Sequence, residues 1–246
     1  MIRIERLSHR YQLGAKSKDR SVSVLHDIDL HVKEGEIVTL VGRSGSGKST
    51  LLHAACGFIR PSSGRVIIDG QDTANFSEGD WADFRRQRIG VIFQSFQLIP
   101  SMTAYENIEL PLVLEGIGET ERNQRTNQLL ERFGLAGYAE HYPGELSGGQ
   151  QQRVGIARAL ALKPRIVMAD EPTGSLDSDN ERQFLDTLQQ LNAEERITFL
   201  IITHDEHVAS IGHRIVRIED GRLSEIASPR PLASTASAQQ QEVSSR

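Results

Sequence analysis

The sequence predicts an α/β fold built on a parallel sheet, and three observations carry that expectation. An apolar run, Ile37-Val38-Thr39-Leu40-Val41, feeds a glycine-rich stretch and then a helical segment from Ser49 to Gly57, with Leu51, Leu52, Ala54, Ala55 and Cys56 supplying its apolar positions. A second apolar run, Arg165 to Ala169, has the composition of a central strand buried on both faces. From Thr103 to Leu162 helical spacing dominates, interrupted at Gly116–Gly118 and at Pro143-Gly144.

The remaining elements follow in chain order. Ile2 to Leu7 and Val24 to Val32 alternate as strands, and the polar stretch Gly14 to Arg20 between them reads as a loop. Val66-Ile67-Ile68 is a short strand closed by the Asp69-Gly70 turn, and Arg88 to Phe93 is another that ends at Gln94. Asp177 to Leu191 reads as a helix and Thr198 to Thr203 as a strand. The pair Arg214–Glu219 and Arg222–Ile226 flanks Asp220-Gly221, a hairpin signal. Ser228 to Arg246 is rich in Ser, Ala, Pro and Gln with little to bury. The expectation is one domain over 1–228 and a disordered polar tail over 229–246.

Composition narrows the class. The 246 residues are 38% hydrophobic and 25% charged, ordinary for a globular protein, with a formal net charge of −5 that argues against a general nucleic-acid binder. No apolar run approaches the roughly 18–20 residues of a membrane helix. The first residues, Met1-Ile2-Arg3-Ile4-Glu5-Arg6, place charges where a signal peptide would be apolar. Cys56 is the single cysteine, so no internal disulfide forms, which suits the cytosol.

Gly42-Arg43-Ser44-Gly45-Ser46-Gly47-Lys48-Ser49-Thr50 fits the phosphate-binding pattern G-x-x-x-x-G-K-[ST] in its proper strand–loop–helix setting. Such a loop points successive backbone N–H groups at one spot, and the helix start adds its positive dipole end. Lys48 can reach the β and γ phosphates of a nucleotide, and the Ser49 hydroxyl can bind Mg²⁺. The strand Arg165–Ala169 ends in Asp170-Glu171-Pro172. Ligands of open α/β sheets bind beyond the carboxyl ends of the strands, so these carboxylates can share a site with the loop. Asp170 then holds Mg²⁺ through water and Glu171 polarises the attacking water, although alone the pair also fits an acidic turn capping the next helix. Leu146-Ser147-Gly148-Gly149-Gln150 opens a strongly helical run, with Ser147 as N-cap and two glycines that admit a ligand. By itself it fits either a second anion site or a plain cap.

Together these motifs resemble the nucleotide-binding subunit of ATP-binding cassette (ABC) transporters. Leu146 to Gln150 matches that family's signature, Gln94 its Q-loop glutamine, Ser175-Leu176-Asp177 its D-loop, His204 its switch histidine and Tyr11 its adenine-stacking aromatic. The resemblance spans about Ile2 to Ile226. It implies a P-loop NTPase (RecA-like) core, an N-terminal antiparallel β-layer and an α-helical subdomain inserted over approximately 95–160. It implies ATP and Mg²⁺ as ligands, with Ser49, Gln94 and Asp170 around the metal and His204 on the γ-phosphate beside Glu171. It further implies a head-to-tail homodimer in which Ser147, Gly148 and Gly149 of one copy meet the ATP held by the other.

Phe93 to Asn107 and Ala169 to Asp177 resemble the group containing LolD, MacB and FtsE, with Gly174-Ser175 where Gly-Asn is commoner. The resemblance implies an ATPase subunit on the cytoplasmic face of the membrane. It would power a separate permease bearing an extracytoplasmic domain, in export, lipoprotein or lipid extraction, or mechanotransmission. A regulatory cell-division type that transports nothing, and a soluble ABC ATPase, stay open as alternatives. Phe96, Leu98, Ile99, Met102 and Tyr105 fit either a groove for a permease helix or the core of the helical subdomain.

Overall fold

The computed structural model describes residues 1–12 and 21–226. The expected loop at Gly14–Arg20 and the expected tail both fall outside the described residues. In chain order the strands are β1 (Ile2–Gln12), β2 (Ser21–Val32), β3 (Ile37–Val41), β4 (Ser63–Ile68), β5 (Gln71–Asp72), β6 (Ile89–Phe93), β7 (Ile166–Asp170), β8 (Thr198–Thr203), β9 (Arg214–Glu219) and β10 (Arg222–Ile226). The helices are α1 (Lys48–Ala55), α2 (Glu78–Arg88), α3 (Ala104–Leu114), α4 (Glu119–Arg132), α5 (Gly148–Ala159), α6 (Ser178–Glu195) and the single turn α7 (Glu206–Ala209).

Two sheets result. The antiparallel sheet runs β2-β1-β4-β5, and the larger sheet runs β10-β9-β3-β8-β7-β6. In the larger sheet β9, β3, β8, β7 and β6 are mutually parallel, and only β10 returns antiparallel through the Asp220-Gly221 hairpin. The parallel strands are apolar on both faces because both are covered. Phe199 and Ile201 of β8, with Val167 and Ala169 of β7, face a core shared with α3, α4, α5 and α6. Leu200 and Ile202, with Ile166 and Met168, face a second core shared with α1 and the antiparallel sheet. Each of the larger apolar side chains buried in this way contributes about 1.5–3 kcal/mol before conformational entropy is set against it.

The helices begin where their caps dictate. Ser77, Thr103 and Ser147 each accept from the backbone N–H three residues on, while Asp80, Glu106 and Gln150 reach back to the cap N–H. The Asp177 side chain caps α6 through Asn180. α3, α4 and α5 pack on one another and on the sheet face carrying Phe199, which is the expected helical insertion.

The topology sets the site. β3, β8, β7 and β6 are consecutive parallel neighbours, so all four carboxyl ends emerge on one edge. Val41 lies level with Thr203, and Asp170 level with Ile202 on one side and Phe93 on the other. The residues that follow these strands, Gly42, His204, Glu171 and Gln94, therefore leave the sheet side by side.

Candidate nucleotide site

The loop Gly42–Gly47 is folded by its own hydrogen bonds. Ser46 N–H donates to Arg43 O (3.2 Å), Leu51 N–H to Gly47 O (2.9 Å), and Gly221 N–H from the β9–β10 hairpin to Ser46 O (3.1 Å). Gly47 has φ +105°, and a Cβ there would come within 2.9 Å of Leu25, so the turn into α1 requires glycine. Lys48 is buried, and its Nζ donates to Gly42 O (2.8 Å) and Arg43 O (3.2 Å) while lying 3.6 Å from Glu171 Oε1.

Glu171 sits at the centre of the opposing wall. Its φ of +45° is a left-handed conformation, costly for a non-glycine residue and of the kind held at functional sites. The backbone is fixed there by its own N–H donating to Ile202 O (2.9 Å). Glu171 Oε2 accepts from the His204 N–H (3.1 Å) and lies 2.8 Å from His204 Nδ1. Beneath it Asp170 Oδ1 accepts the Ser49 hydroxyl (3.3 Å), and Oδ2 lies 3.7 Å from His53 Nε2. Burial pushes the Asp170 carboxyl above its ordinary range, with His53 and the Ser49 hydrogen bond opposing that rise.

A cleft of about 620 Å³ opens over these groups, lined by Tyr11, Val24, Ser44, Gly45, Gly47, Lys48, Ser49, Thr50, Gln94, Glu171 and His204. Most of the residues anticipated around a nucleotide thus converge. Tyr11 stands at the rim, its hydroxyl 3.4 Å from Thr50 Oγ1 and its ring edge-on to His9 with centroids 4.6 Å apart. Gly42 and Ser46 form the base of the loop rather than the wall, and Arg43 turns to the opposite side beside Glu219 and Asp220. Asp170 lies behind Ser49.

Ser147, Gly148, Gly149 and Gln150 are not in this cleft. They form the start of α5, with Ser147 and Gly148 exposed. Gly149 is pressed against Asn180, where a Cβ would fall 2.0 Å from Oδ1. Hence Ser147–Gln150 lies next to the first turn of α6, and the starts of α1 and α5 sit on separate surfaces of one chain. The Q-loop apolar residues are half-buried, with Leu98 and Tyr105 packed on the helical core. The groove nearby, about 290 Å³, is walled mainly by other side chains, among them Phe58, Phe93, Leu110, Pro111 and Leu114.

Val24 and His53 escape sequence reasoning. Val24 belongs to an alternating strand with nothing to mark it, and His53 only gains meaning once α1 is placed against β7. α2 and β5 are likewise missed, although Ser77 with Asp80 is a legible capping box.

The cleft's chemistry fits a magnesium nucleotide. Lys48, Ser49 and Thr50 line it together with the glycines of the loop, a cation and two hydroxyls beside backbone N–H groups that suit an anion. Among the described residues no cluster of three His, Cys, Asp or Glu side chains could cage a metal alone. A hydroxyl, an amide and one carboxylate suit a hard cation that takes its other ligands from water and phosphate.

Comparison with known proteins agrees. A family model described as ABC transporter matches residues 25–174. The chain is 55% identical over 223 residues to the ABC transporter ATP-binding protein YtrE of Bacillus subtilis, covering 91% of this chain and 96% of that protein. It is 42% identical over 233 residues to the macrolide export ATP-binding/permease protein MacB 2 of Aeromonas hydrophila, covering 95% of this chain but 35% of that one. The solved dimeric post-hydrolysis state of the ATP-binding cassette MJ0796, bound to ADP and Pi, matches with a TM-score of 0.86 at 38% identity, covering 94% of this chain and 100% of that one; MJ0796 is a protein of Methanocaldococcus jannaschii. With the P-loop, the carboxylate strand and the detached signature helix all in place, the chain belongs to the ABC transporter family, as an ATP-binding cassette ATPase.

Proposed function

We propose that two copies of this chain close head-to-tail around two ATP molecules and that the cycle of closure and hydrolysis drives a separate membrane permease. The observation that carries this reading is the separation of the two halves of the chemistry. Lys48, Ser49, Glu171 and His204 line one cleft, while the exposed start of α5 at Ser147 lies outside it. Only a second copy can bring that helix start to the phosphates. The dimeric form of MJ0796 supports this arrangement.

In the proposed cycle the loop N–H groups and Lys48 hold the phosphates, Tyr11 stacks on the adenine, and Glu171 polarises water toward the γ-phosphate. His204, already bonded to Glu171, keeps that carboxylate aimed. Ser49, Asp170 and Gln94 would hold Mg²⁺, which when bound neutralises charge on the phosphate oxygens. Since φ at Glu171 is strained and its carboxylate faces Lys48 and His204, the base is oriented before substrate arrives.

The permease reading rests on the apolar groove beside Gln94, where Phe58 and Leu114 stay exposed and could take the apolar face of a cytoplasmic helix. Relatives described as macrolide export ATP-binding/permease proteins join both functions in one chain. This supports work of the export or extraction type; the proposal places the chain at the cytoplasmic face of the membrane, beside a permease carrying an extracytoplasmic domain. Among the described residues no helix is long and apolar enough to cross a membrane.

The test is ATP-dependent dimerisation of Glu171→Gln by light scattering. Dimer with ATP and Mg²⁺, monomer without, and monomer under both conditions in Glu171→Gln/Ser147→Arg are expected. A dimer indifferent to ATP or to Ser147 would reject the arrangement.

A further inference from the structure

His53 has a place in the site that no motif assigns. It lies on α1, just over one turn beyond Lys48, and its Nε2 approaches Asp170 Oδ2 at 3.7 Å, within ion-pair range. The other carboxylate oxygen is taken by the Ser49 hydroxyl at 3.3 Å. Both oxygens of Asp170 therefore have a side chain of the same helix as neighbour: Oδ1 accepts the Ser49 hydroxyl that lines the nucleotide cleft, and Oδ2 faces the His53 ring across 3.7 Å.

On that far side His53 meets Phe58 edge-on, with ring centroids 5.9 Å apart and planes at 87°. The backbone repeats the link, because the Phe58 N–H donates to His53 O at 2.8 Å. Phe58 is 45% exposed and forms part of the wall of the groove beside Gln94. Arg85 lies over its face at 4.8 Å and also donates to Gly57 O at 2.9 Å, fixing the loop from which Phe58 projects. The groove wall, Phe58, His53 and Asp170 thus form an unbroken run of packed side chains.

We infer that His53 is a positioning residue for the Asp170 carboxylate and that, through Phe58, it transmits occupancy of the groove to the metal-holding end of the cleft. This rests on the reading of the groove as the permease's docking site. It supplies a route from that site separate from the loop that begins at Gln94. A helix pressing on Phe58 shifts the ring against which His53 rests, and the carboxylate held by His53 turns with it. Outer partners of a metal-binding carboxylate commonly carry about 10- to 100-fold in affinity, so a small rotation at Phe58 is enough to matter.

The experiment titrates Mn²⁺ into the Glu171→Gln chain with ATP, reading bound metal by electron paramagnetic resonance rather than turnover. His53→Leu should weaken Mn²⁺ about 10-fold. His53→Gln, which keeps a donor toward Asp170, should stay within about 3-fold of the parent. Phe58→Ala should weaken Mn²⁺ by about 3-fold alone and add nothing to His53→Leu. Val113→Ala, exposed on α3 outside the groove lining, should leave the titration unchanged. Should His53→Leu fail to fold, His53→Phe keeps the ring contact and removes the polar one. Unchanged Mn²⁺ affinity in the polar-loss variant, equal losses in His53→Gln and His53→Leu, or additive losses with Phe58→Ala would overturn the inference. Failure of the parent chain to bind Mn²⁺ with ATP at all would instead defeat the placement of Asp170 at the metal site, on which the inference also depends.

Discussion

Glu171→Gln separates binding from chemistry, and the two effects should carry opposite signs. Glutamine is nearly isosteric and its oxygen can still accept the His204 N–H that Glu171 Oε2 accepts at 3.1 Å, so the strand end should keep its shape. What disappears is the charge. At 3.6 Å from Lys48 Nζ, with both side chains largely buried, that charge is worth about 4–5 kcal/mol of Coulomb attraction at an effective dielectric of 20. Desolvation offsets most of it, leaving on the order of 1 kcal/mol. Removing the carboxylate frees Lys48 for phosphate and also removes like-charge repulsion against the incoming anion. Both changes favour ATP, so affinity should rise by about 5-fold. Turnover should fall by about 10²–10⁴, the range for losing a positioned base. Phosphate release measured beside equilibrium binding of a fluorescent ATP analogue reads both arms. Turnover within about 10-fold of the parent would remove Glu171 from the role of base. Weaker ATP binding would refute the electrostatic argument.

Other outcomes follow from the same geometry. Lys48→Ala should weaken ATP by roughly 10- to 100-fold, the worth of a charge-assisted contact to phosphate, checked by the same binding assay. Asp170 has a raised folded pKa, so its stability contribution is fully present below the unfolded value and is lost as pH rises through the folded one. Asp170→Asn should accordingly raise the Tm of the nucleotide-free chain by a few degrees near pH 7 and by nothing near pH 3, while abolishing Mg²⁺-dependent turnover; calorimetry across pH tests the sign. Cys56 is fully buried, and burial pushes its thiol up to about 12, so thiol-reagent labelling near neutral pH should proceed only at the rate of unfolding and follow denaturant accordingly. Gly57 has φ +68° and a Cβ there would fall 2.0 Å from Trp81 Cδ2, so Gly57→Ala should cost about 3 kcal/mol and red-shift the emission of the chain's single tryptophan.

What was legible in the sequence was whatever local chemistry dictates. The glycine-rich loop, the apolar runs of β3, β7 and β8, the hairpin at Asp220-Gly221 and the Ser147 cap each carry their signal within a dozen residues, and the structure forms them at nearly those positions. α2 went unread because its mean composition is strongly polar and only Phe84 is buried along it, so periodicity had little to act on. β1 runs to Gln12 rather than ending at Leu7 because its pairing with β2 continues to Gln12 opposite Ser21, past bulges that break the alternation. The groove is legible only in three dimensions: Phe58, Leu110, Pro111 and Leu114 come from two elements far apart in the chain.

The same contrast explains why the site looks incomplete in one chain. Four strand ends can gather Gly42, Gln94, Glu171 and His204 on one edge because parallel neighbours share a direction. The α5 start cannot join them, since α3, α4 and α5 share their core with the opposite sheet face from α1. Gly149 is locked against Asn180, whose side chain donates to Asp177 (3.0 and 2.9 Å), so the signature and the D-loop form one block. Hydrogen bonds from Asn180 hold the Asp177 carboxyl below its ordinary range and keep it charged as the α6 cap. In the proposed head-to-tail pair, the cleft of one copy therefore meets the signature and D-loop of the other together. Any substitution that loosens Gly149 from Asn180 should impair closure without touching the cleft that binds ATP.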